Sequence, residues 1–142
     1  MSALSDLYDY AKEDGIGIYS YPIGFCAAMS IRQGNRSAVF LDFSQLRTTA
    51  EINEAAAHEH GHHATGAFHK VNSPFELWQR SEYRADRWFY EHYLSPEQFN
   101  AAFRAGCLEP WQLAEWFNMP EKRIKKALHY WTECRGVDFH TA

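Results

Sequence analysis

The sequence predicts an α+β fold with a small sheet near the N-terminal end and helices in most of the remaining chain. Three observations predict it. An amphipathic helical pattern opens the chain, three short runs rich in β-branched and aromatic residues follow, and apolar residues recur at helical spacing from residue 48 onward. The chain has 142 residues, of which 46% are hydrophobic, a size and composition typical of one packed domain. We expect one domain over residues 1–142, with a core in residues 1–94 and a helical segment in residues 95–134.

The first elements are predicted from their local patterns. Residues 2–13 carry apolar side chains at helical spacing, and the Asp14-Gly15 pair ends that helix. Strand-like runs cover residues 16–21, 25–31 and 37–43. Gly34-Asn35 is a turn signal between the last two runs. A short antiparallel or mixed three-stranded sheet is the simplest assembly of these runs, and we expect it to pack on the helix that follows.

Helix-start signals mark the second part of the chain. A Ser or Thr followed three residues later by Glu or Gln forms a capping box, and this pattern occurs at residues 48–51, 73–76 and 95–98. Gly66 is the expected end of the first of these helices, because glycine favours the left-handed C-cap. Two shorter helices are predicted near residues 111–117 and 121–133.

The most informative motif lies in the helix that begins near residue 48. It reads His58-Glu59-His60-Gly61-His62 and fits the pattern His-Glu-x-x-His. Positions i and i+4 of a helix lie one above the other, so His58 and His62 can direct two imidazoles at one metal ion. Glu59 lies close enough to handle the proton of a water at that metal. The alternative is that both histidines are polar residues on a solvated helix face.

A catalytic zinc site needs a third protein ligand, and Glu82 is the leading candidate. It shares a helix face with inward-turned apolar residues, where a carboxylate is costly unless it is paired or bound to metal. Asp86, one turn further on, is expected to orient His58 or His62 by accepting its second ring N–H. Salt bridges are the alternatives: from Glu82 to Arg80 or Arg84, and from Asp86 to Arg84 or Arg87.

Composition excludes several other classes of protein. The net charge of −4 weighs against nucleic acid as the main partner, because phosphate binding needs a basic surface. Three widely separated cysteines argue against a disulfide framework and against a thiolate zinc site. No apolar run is long enough for a membrane span, and residues 1–6 lack the features of a signal peptide. We therefore expect a cytoplasmic protein without a membrane partner.

The order of these parts resembles the ImmA/IrrE family of small metallopeptidases. The family signature is His-Glu-φ-Gly-His followed by Glu-x-x-Ala-Asp/Asn-x-Phe. Here the second motif reads Glu82-Tyr-Arg-Ala85-Asp86-Arg-Trp-Phe89, one residue longer before the Phe, and His60 stands where the family usually has an apolar residue. Residues 94–97 and 113–128 are similar to the helix break and the helix-turn-helix-like segment of the family. The resemblance covers roughly residues 37–131.

The resemblance implies a zincin-like core, a single metallopeptidase domain and a Zn²⁺ cofactor held by His58, His62 and Glu82. Glu59 would be the catalytic base, and Asp86 would orient a ligand. It also implies a protein partner, a helix-turn-helix repressor of a phage or mobile element, which a zinc endopeptidase would cleave. The alternative function is a metal-stabilised antirepressor that binds the repressor without cutting it. Direct DNA binding through residues 113–131 is a weaker possibility.

The sheet is also expected to take part in binding. Zincins commonly hold substrate as an added strand against an exposed sheet edge near the metal. Residues 37–43, which precede the active-site helix directly, are the candidate for this edge strand. The alternative is that they form a central strand. His60, His63 and His69 are expected to be surface or packing residues rather than ligands.

Overall fold

The computed structural model describes residues 2–68 and 75–139. Contacts divide the chain into two compact units, Met1–Phe89 and Tyr90–Ala142. The α+β class is confirmed, since the first unit holds a three-stranded sheet among helices and the second is helical. The elements are α1 Ala3–Asp14, β1 Gly17–Ser20, β2 Ala28–Gln33, β3 Arg36–Leu41, α2 Thr49–Thr65, α3 Phe75–Tyr93, α4 Pro96–Arg104, α5 Pro110–Phe117, α6 Glu121–His129 and a π-helical turn at Tyr130–Cys134.

The sheet is mixed, with strand order β1-β3-β2. β2 and β3 form an antiparallel hairpin whose turn contains Gly34, with a φ of 60° that suits the first central position of a type II′ turn. β1 instead pairs in parallel with the other side of β3. The prediction that residues 37–43 form an edge strand is therefore wrong, and the central-strand alternative is confirmed. The fully buried side chains of Val39 and Leu41 suit a strand that is paired on both sides.

The side-chain alternation of the sheet places β2 along α2. Val39 and Leu41 point to the inner face of β3, and the residues that pair with them, Ser30 and Ala28, point the same way from β2. β2 contacts α2, and α1 packs on α2 from another side, with Leu7 fully buried. The inner face of β2 therefore presents its side chains to the helix that carries the His-Glu-x-x-His motif.

A close contact between backbones joins α2 to α3. A Cβ atom placed on Gly61 would lie 2.5 Å from the carbonyl oxygen of Ala85 and 3.1 Å from its Cα. His58 lies three residues before Gly61, and His62 lies one residue after it. On the other helix, Glu82 and Asp86 have the same spacing from Ala85. One contact between the two helices therefore brings all four polar side chains into register.

The helix ends follow the predicted signals. The hydroxyl of Thr48 accepts from the backbone N–H of Glu51, and Gly66 ends α2 in the left-handed conformation with a φ of 66°. Both hydrogen bonds of the capping box at residues 95–98 form at the start of α4. The box predicted at residues 73–76 falls largely outside the described residues. The helix predicted to reach residue 133 ends at His129 and continues as the π-helical turn.

The second unit has its own apolar interior. Leu113 of α5 and Ile124 of α6 are buried, and Asn118 connects the two helices in the left-handed conformation with a φ of 51°. The indole N–H of Trp131 donates to the carbonyl oxygen of Leu94 at 2.7 Å and so ties the π-helical turn to the end of α3. Among the described helices of both units, none combines the length and the apolar character that a membrane crossing would require.

The contact at Gly61 predicts that a glycine-to-alanine change in a helix will lower the free energy of unfolding, which is the opposite of the usual effect. Replacing a helical glycine with alanine normally stabilises a helix by up to about 1 kcal/mol. We expect Gly61→Ala instead to lower the free energy of unfolding by about 1–3 kcal/mol, because the new methyl group would press on a backbone oxygen. Urea unfolding of the metal-free protein measures this. Adding Ala85→Gly should restore little of the loss, since the clash is with backbone. A more stable Gly61→Ala protein would contradict this close contact.

Candidate metal centre

Three side chains from two helices converge at one point of the first unit. The Nε2 atoms of His58 and His62 lie 3.2 Å apart. The carboxylate of Glu82 reaches from α3 to both, with Oε2 at 2.7 Å from the His58 Nε2 and Oε1 at 3.3 Å from the His62 Nε2. These ligand atoms all lie within 4.8 Å of one another. The three residues predicted as ligands are therefore together in the structure, in an arrangement that could hold a metal ion.

The other ring nitrogen of each histidine is hydrogen-bonded away from the point of convergence. His58 donates from Nδ1 to Asp86 Oδ1 at 2.8 Å, which is the orienting contact predicted for Asp86. His62 donates from Nδ1 to the carbonyl oxygen of Ala67 at 2.6 Å. Because Nδ1 donates these hydrogen bonds in both rings, Nε2 is the nitrogen of each ring that is directed at the point of convergence, as in metal-binding imidazoles.

Helix capping supplies the second of these contacts. Gly66 turns the chain back at the end of α2, and the N–H of Ala67 then donates to the carbonyl oxygen of His62 at 3.1 Å. The hydroxyl of Thr65 also bonds to the turn, donating to the carbonyl of Gly61 at 2.7 Å. The carbonyl of Ala67 is thereby held against the ring of His62, one turn below it.

The spacing of the ligand atoms suits a tetrahedral ion. Atoms bound about 2.0–2.1 Å from a tetrahedral Zn²⁺ lie about 3.3–3.4 Å from one another. The two imidazole nitrogens, 3.2 Å apart, are close to that value. The two Glu82 distances involve different carboxylate oxygens: Oε1 lies 3.3 Å from the His62 Nε2 and Oε2 lies 2.7 Å from the His58 Nε2, so the carboxylate can offer either oxygen to an ion between the rings. Three ligands of this kind leave a fourth tetrahedral position for water or substrate.

The charges at the site explain how it is stabilised without metal. Burial alone would lower the pKa of His58, but its hydrogen bonds with Asp86 and Glu82 outweigh burial and raise that pKa to about 10. Burial would likewise raise the pKa of Glu82, but hydrogen bonds from His58 and His62 lower it well below its usual range. An imidazolium proton on the Nε2 of His58 therefore takes the place that a cation would occupy between the ligand atoms.

Glu59 is the buried carboxyl beside this cluster, with only 4% of its surface exposed. Its Oε2 accepts a hydrogen bond from the hydroxyl of Ser30 on β2 at 3.0 Å. Burial raises the pKa of Glu59, while the neighbouring charges of His58 and His62 oppose that rise. The residue predicted as catalytic base is thus a shielded carboxyl next to the metal ligands, held on one side by the sheet.

The other histidines of α2 pack into the interior. His60 lies between the rings of Tyr10 and Trp88, each with its centroid 4.5 Å away. It therefore occupies an aromatic environment, at the position where the ImmA/IrrE motif usually has an apolar residue. His63 is buried against Phe68, and burial lowers its pKa to about 4. Both residues have the packing role that was expected. His69 lies outside the described residues.

Two contacts of the site had no signal in the sequence. The hydroxyl of Ser30 reaches Glu59 only because the pairing of β2 with β3 turns it inward, and the sequence does not specify this register. The carbonyl of Ala67 is a backbone group that any residue would supply. Arg84 is one of the alternative salt-bridge partners, and its Nη2 donates a hydrogen bond to the carbonyl oxygen of Thr65 at 2.8 Å.

A comparison of the chain with protein-family models, curated proteins and solved structures gave no match. Function is therefore inferred from the geometry of the described residues and from the motif resemblance.

Removal of the carboxylate ligand should abolish tight metal binding. We expect Glu82→Ala to weaken Zn²⁺ binding more than about 100-fold, because losing a direct ligand costs more than the 10–100-fold typical of outer contacts. Competition with a chromophoric chelator measures the affinity. Glu76→Ala, which removes an exposed carboxylate from the same helix, is the matched control and should bind Zn²⁺ like the parent. Equal affinity in Glu82→Ala and the parent would show that the site is drawn wrongly.

Metal binding should release protons. The pKa of about 10 for His58 lies above neutral pH, so its Nε2 carries a proton that a metal must displace. We expect about one proton released per Zn²⁺ at pH 7.5, and an affinity that rises about tenfold per pH unit below the pKa. Calorimetry in two buffers with different heats of ionisation counts the protons. Asp86→Asn removes a negative charge that raises the pKa of His58, so its proton release should disappear at a lower pH than that of the parent. No release from the parent at pH 7.5 would contradict the protonated state.

Proposed function

We propose that this protein is a zinc-dependent endopeptidase with a zincin-like core, similar to the ImmA/IrrE metallopeptidases. Its proposed substrate is a partner regulator, a helix-turn-helix repressor of a phage or mobile element. One observation carries the proposal: two imidazole nitrogens and a carboxylate converge beside the buried carboxyl of Glu59. Structural metal sites usually have four protein ligands, whereas a three-ligand site with an adjacent base is typical of metal-assisted hydrolysis.

The donor set supports zinc as the metal. Imidazole and carboxylate are both good zinc ligands, and the 3.2 Å separation of the two imidazole nitrogens suits a tetrahedral ion. When bound, Zn²⁺ supplies Lewis acidity that polarises a carbonyl and makes a water molecule more acidic. The chain's part is to hold the ligands: Asp86 fixes the ring of His58 and makes it more basic, and Ala67 fixes the ring of His62.

Glu59 is the residue we assign to proton transfer. Its Oε2 accepts from Ser30, so Oε1 is the oxygen we assign to accept a proton from the attacking water. Burial raises the pKa of this carboxyl and so makes it a better base than an exposed glutamate. The same carboxyl then delivers the proton to the leaving amine of the peptide, so that the base is regenerated as the C–N bond breaks.

Because β3 is the central strand, we propose that the substrate peptide pairs with the edge strand β2 instead of with β3. The N–H of Asp42 donates to the carbonyl of Ala27 at 2.8 Å, which fixes the alternation of hydrogen-bonded pairs along the hairpin. The backbone groups of Ala28, Ser30 and Arg32 therefore point away from β3, toward the edge of the sheet. A peptide added to this edge in extended form would run beside α2 and its metal cluster.

Two departures from the family pattern are compatible with the proposed relationship. Phe89, displaced by one residue relative to the family motif, is fully buried and so keeps an apolar role. His60 stands at a usually apolar position, and it packs between two aromatic rings without facing the metal ligands. Neither departure disturbs the contacts among the proposed ligands.

A second candidate function is a metal-stabilised antirepressor that binds its partner without cleaving it. It is favoured by exposed aromatic side chains on α5 of the second unit, Trp111 at 54% and Trp116 at 50%. Large aromatic side chains are enriched in protein interfaces. Metal would then serve only to stabilise the first unit, and Glu59 would have no chemical role.

One experiment separates the two functions. The Zn²⁺-loaded protein is incubated with a candidate helix-turn-helix repressor, sought first among the neighbouring genes, and intact masses are recorded. We expect two fragments whose masses sum to the repressor plus one water, and a loss of at least about 10²-fold in rate for Glu59→Gln with Zn²⁺ retained. Glu54→Gln, in the same helix, is the control and should cleave normally.

The other outcomes are equally informative. Unchanged repressor mass together with lost DNA binding by the repressor would favour the antirepressor. Cleavage that survives Glu59→Gln would remove Glu59 from the mechanism. A repressor that is neither cut nor released from DNA would contradict both functions.

A further inference from the structure

We propose that Ser30 is a positioning residue, which holds the Glu59 carboxylate in the orientation needed for proton transfer and sets it relative to the bound peptide. The inference rests on the proposed peptidase function and extends it to a residue on the sheet. Serine is common on surfaces and in turns, and nothing in the sequence around residue 30 marks it as part of a site. Its contact with Glu59, its register and its place at the sheet edge point to this role.

The contact joins the sheet to the active-site helix. Ser30 Oγ donates to Glu59 Oε2 at 3.0 Å, with the hydroxyl coming from β2 and the carboxylate from α2. Glu59 is almost wholly buried, and a buried carboxylate is costly unless its oxygens accept hydrogen bonds. The hydroxyl therefore lowers the cost of burying Glu59 and at the same time selects one orientation of a side chain with three rotatable bonds.

The register of the hairpin holds the hydroxyl in place. Ser30 pairs with Val39, whose side chain is fully buried, so a shift of β2 by one residue would turn the hydroxyl to the opposite face of the sheet. The loop before β2 is anchored as well. Gln45 donates to the carbonyl of Cys26 at 2.8 Å, and Asp42 accepts from the N–H of Ile23 at 3.1 Å. A rigid strand thus carries the group that orients the base.

Ser30 also faces the proposed peptide. Its side chain points to Glu59, while its backbone N–H and C=O point to the edge where a substrate strand would pair. One residue would therefore contact the base through its side chain and the substrate through its main chain. This fixes the distance between the base and the paired peptide residue, which is the kind of alignment that raises the rate of the chemical step.

The consequence is a specific kinetic signature. Removing the hydroxyl frees the Glu59 side chain but leaves the strand edge and the metal ligands unchanged. We expect Ser30→Ala to lower kcat about tenfold, comparable to the loss of an outer contact of a metal site, with KM changed less than about twofold. Ser30→Thr keeps a hydroxyl on the same carbon and should restore kcat.

The test uses the Zn²⁺-loaded full chain and the peptide that it cuts fastest from a set of internally quenched decapeptides of mixed sequence. Ser37→Ala, which removes a hydroxyl on the same face of β3, is the matched control and should leave kcat unchanged. Combining Ser30→Ala with Glu59→Gln should lower kcat no further than Glu59→Gln alone, because the serine acts through the carboxylate.

A second readout does not depend on activity. In metal-free protein labelled with ¹³C at glutamate carboxyls, the Glu59 signal is assigned by its absence in Glu59→Gln. That signal should shift in Ser30→Ala and not in Ser37→Ala, and the affinity for Zn²⁺ should stay within about twofold of the parent. A Ser30→Ala protein that loses stability and Zn²⁺ affinity together, with no rescue by Ser30→Thr, would show a structural role and overturn the inference.

Failure of this inference can be told from failure of the proposed function. If the parent cuts peptide and Glu59→Gln does not, but Ser30→Ala matches the parent in kcat and in the ¹³C signal, only the role of Ser30 is overturned. If the parent cuts neither the decapeptides nor the repressor, the peptidase function is overturned and the positioning role is overturned with it.

Discussion

The close approach of Gly61 and Ala85 is the constraint on which the metal centre depends. The ligands come from two helices, and short side chains such as histidine and glutamate reach a common point only when their helix backbones nearly touch. A methyl group at position 61 would lie 2.5 Å from a backbone oxygen, so the approach requires glycine. The glycine in the His-Glu-x-Gly-His motif is thus explained by packing, while His58 and His62 are placed where they could bind a metal ion.

The charges of the polar groups at this contact balance one another. A carboxylate and two imidazoles in a partly buried place would be costly to bring together without a positive charge among them. In the metal-free protein the proton on His58 supplies that charge, since its pKa is raised to about 10 by Asp86 and Glu82. The candidate ligands are therefore already assembled without metal, and a metal that bound there would replace a proton.

Local patterns predicted the elements well, and pairing was harder to predict. The helix starts at Thr48 and Ser95 and the helix end at Gly66 depend on neighbours within four residues, so they can be recognised in the sequence. The order of strands depends on how β1 crosses to the far side of β3, which involves contacts between residues about twenty positions apart. Residues 37–43 have the same composition whether they form an edge or a central strand, so composition could not separate the two.

The sequence by itself determined the two candidate histidine ligands, because residues four apart on one helix share a face whatever the fold. It also indicated Glu82 and Asp86 through their helical spacing. Only the tertiary structure decided which groups complete the site. Asp86 orients His58 rather than His62, a backbone carbonyl orients His62, and Ser30 contacts Glu59. These contacts depend on the separation of two helices and the register of a hairpin, which are set by packing between residues distant in the chain and leave no local pattern in the sequence.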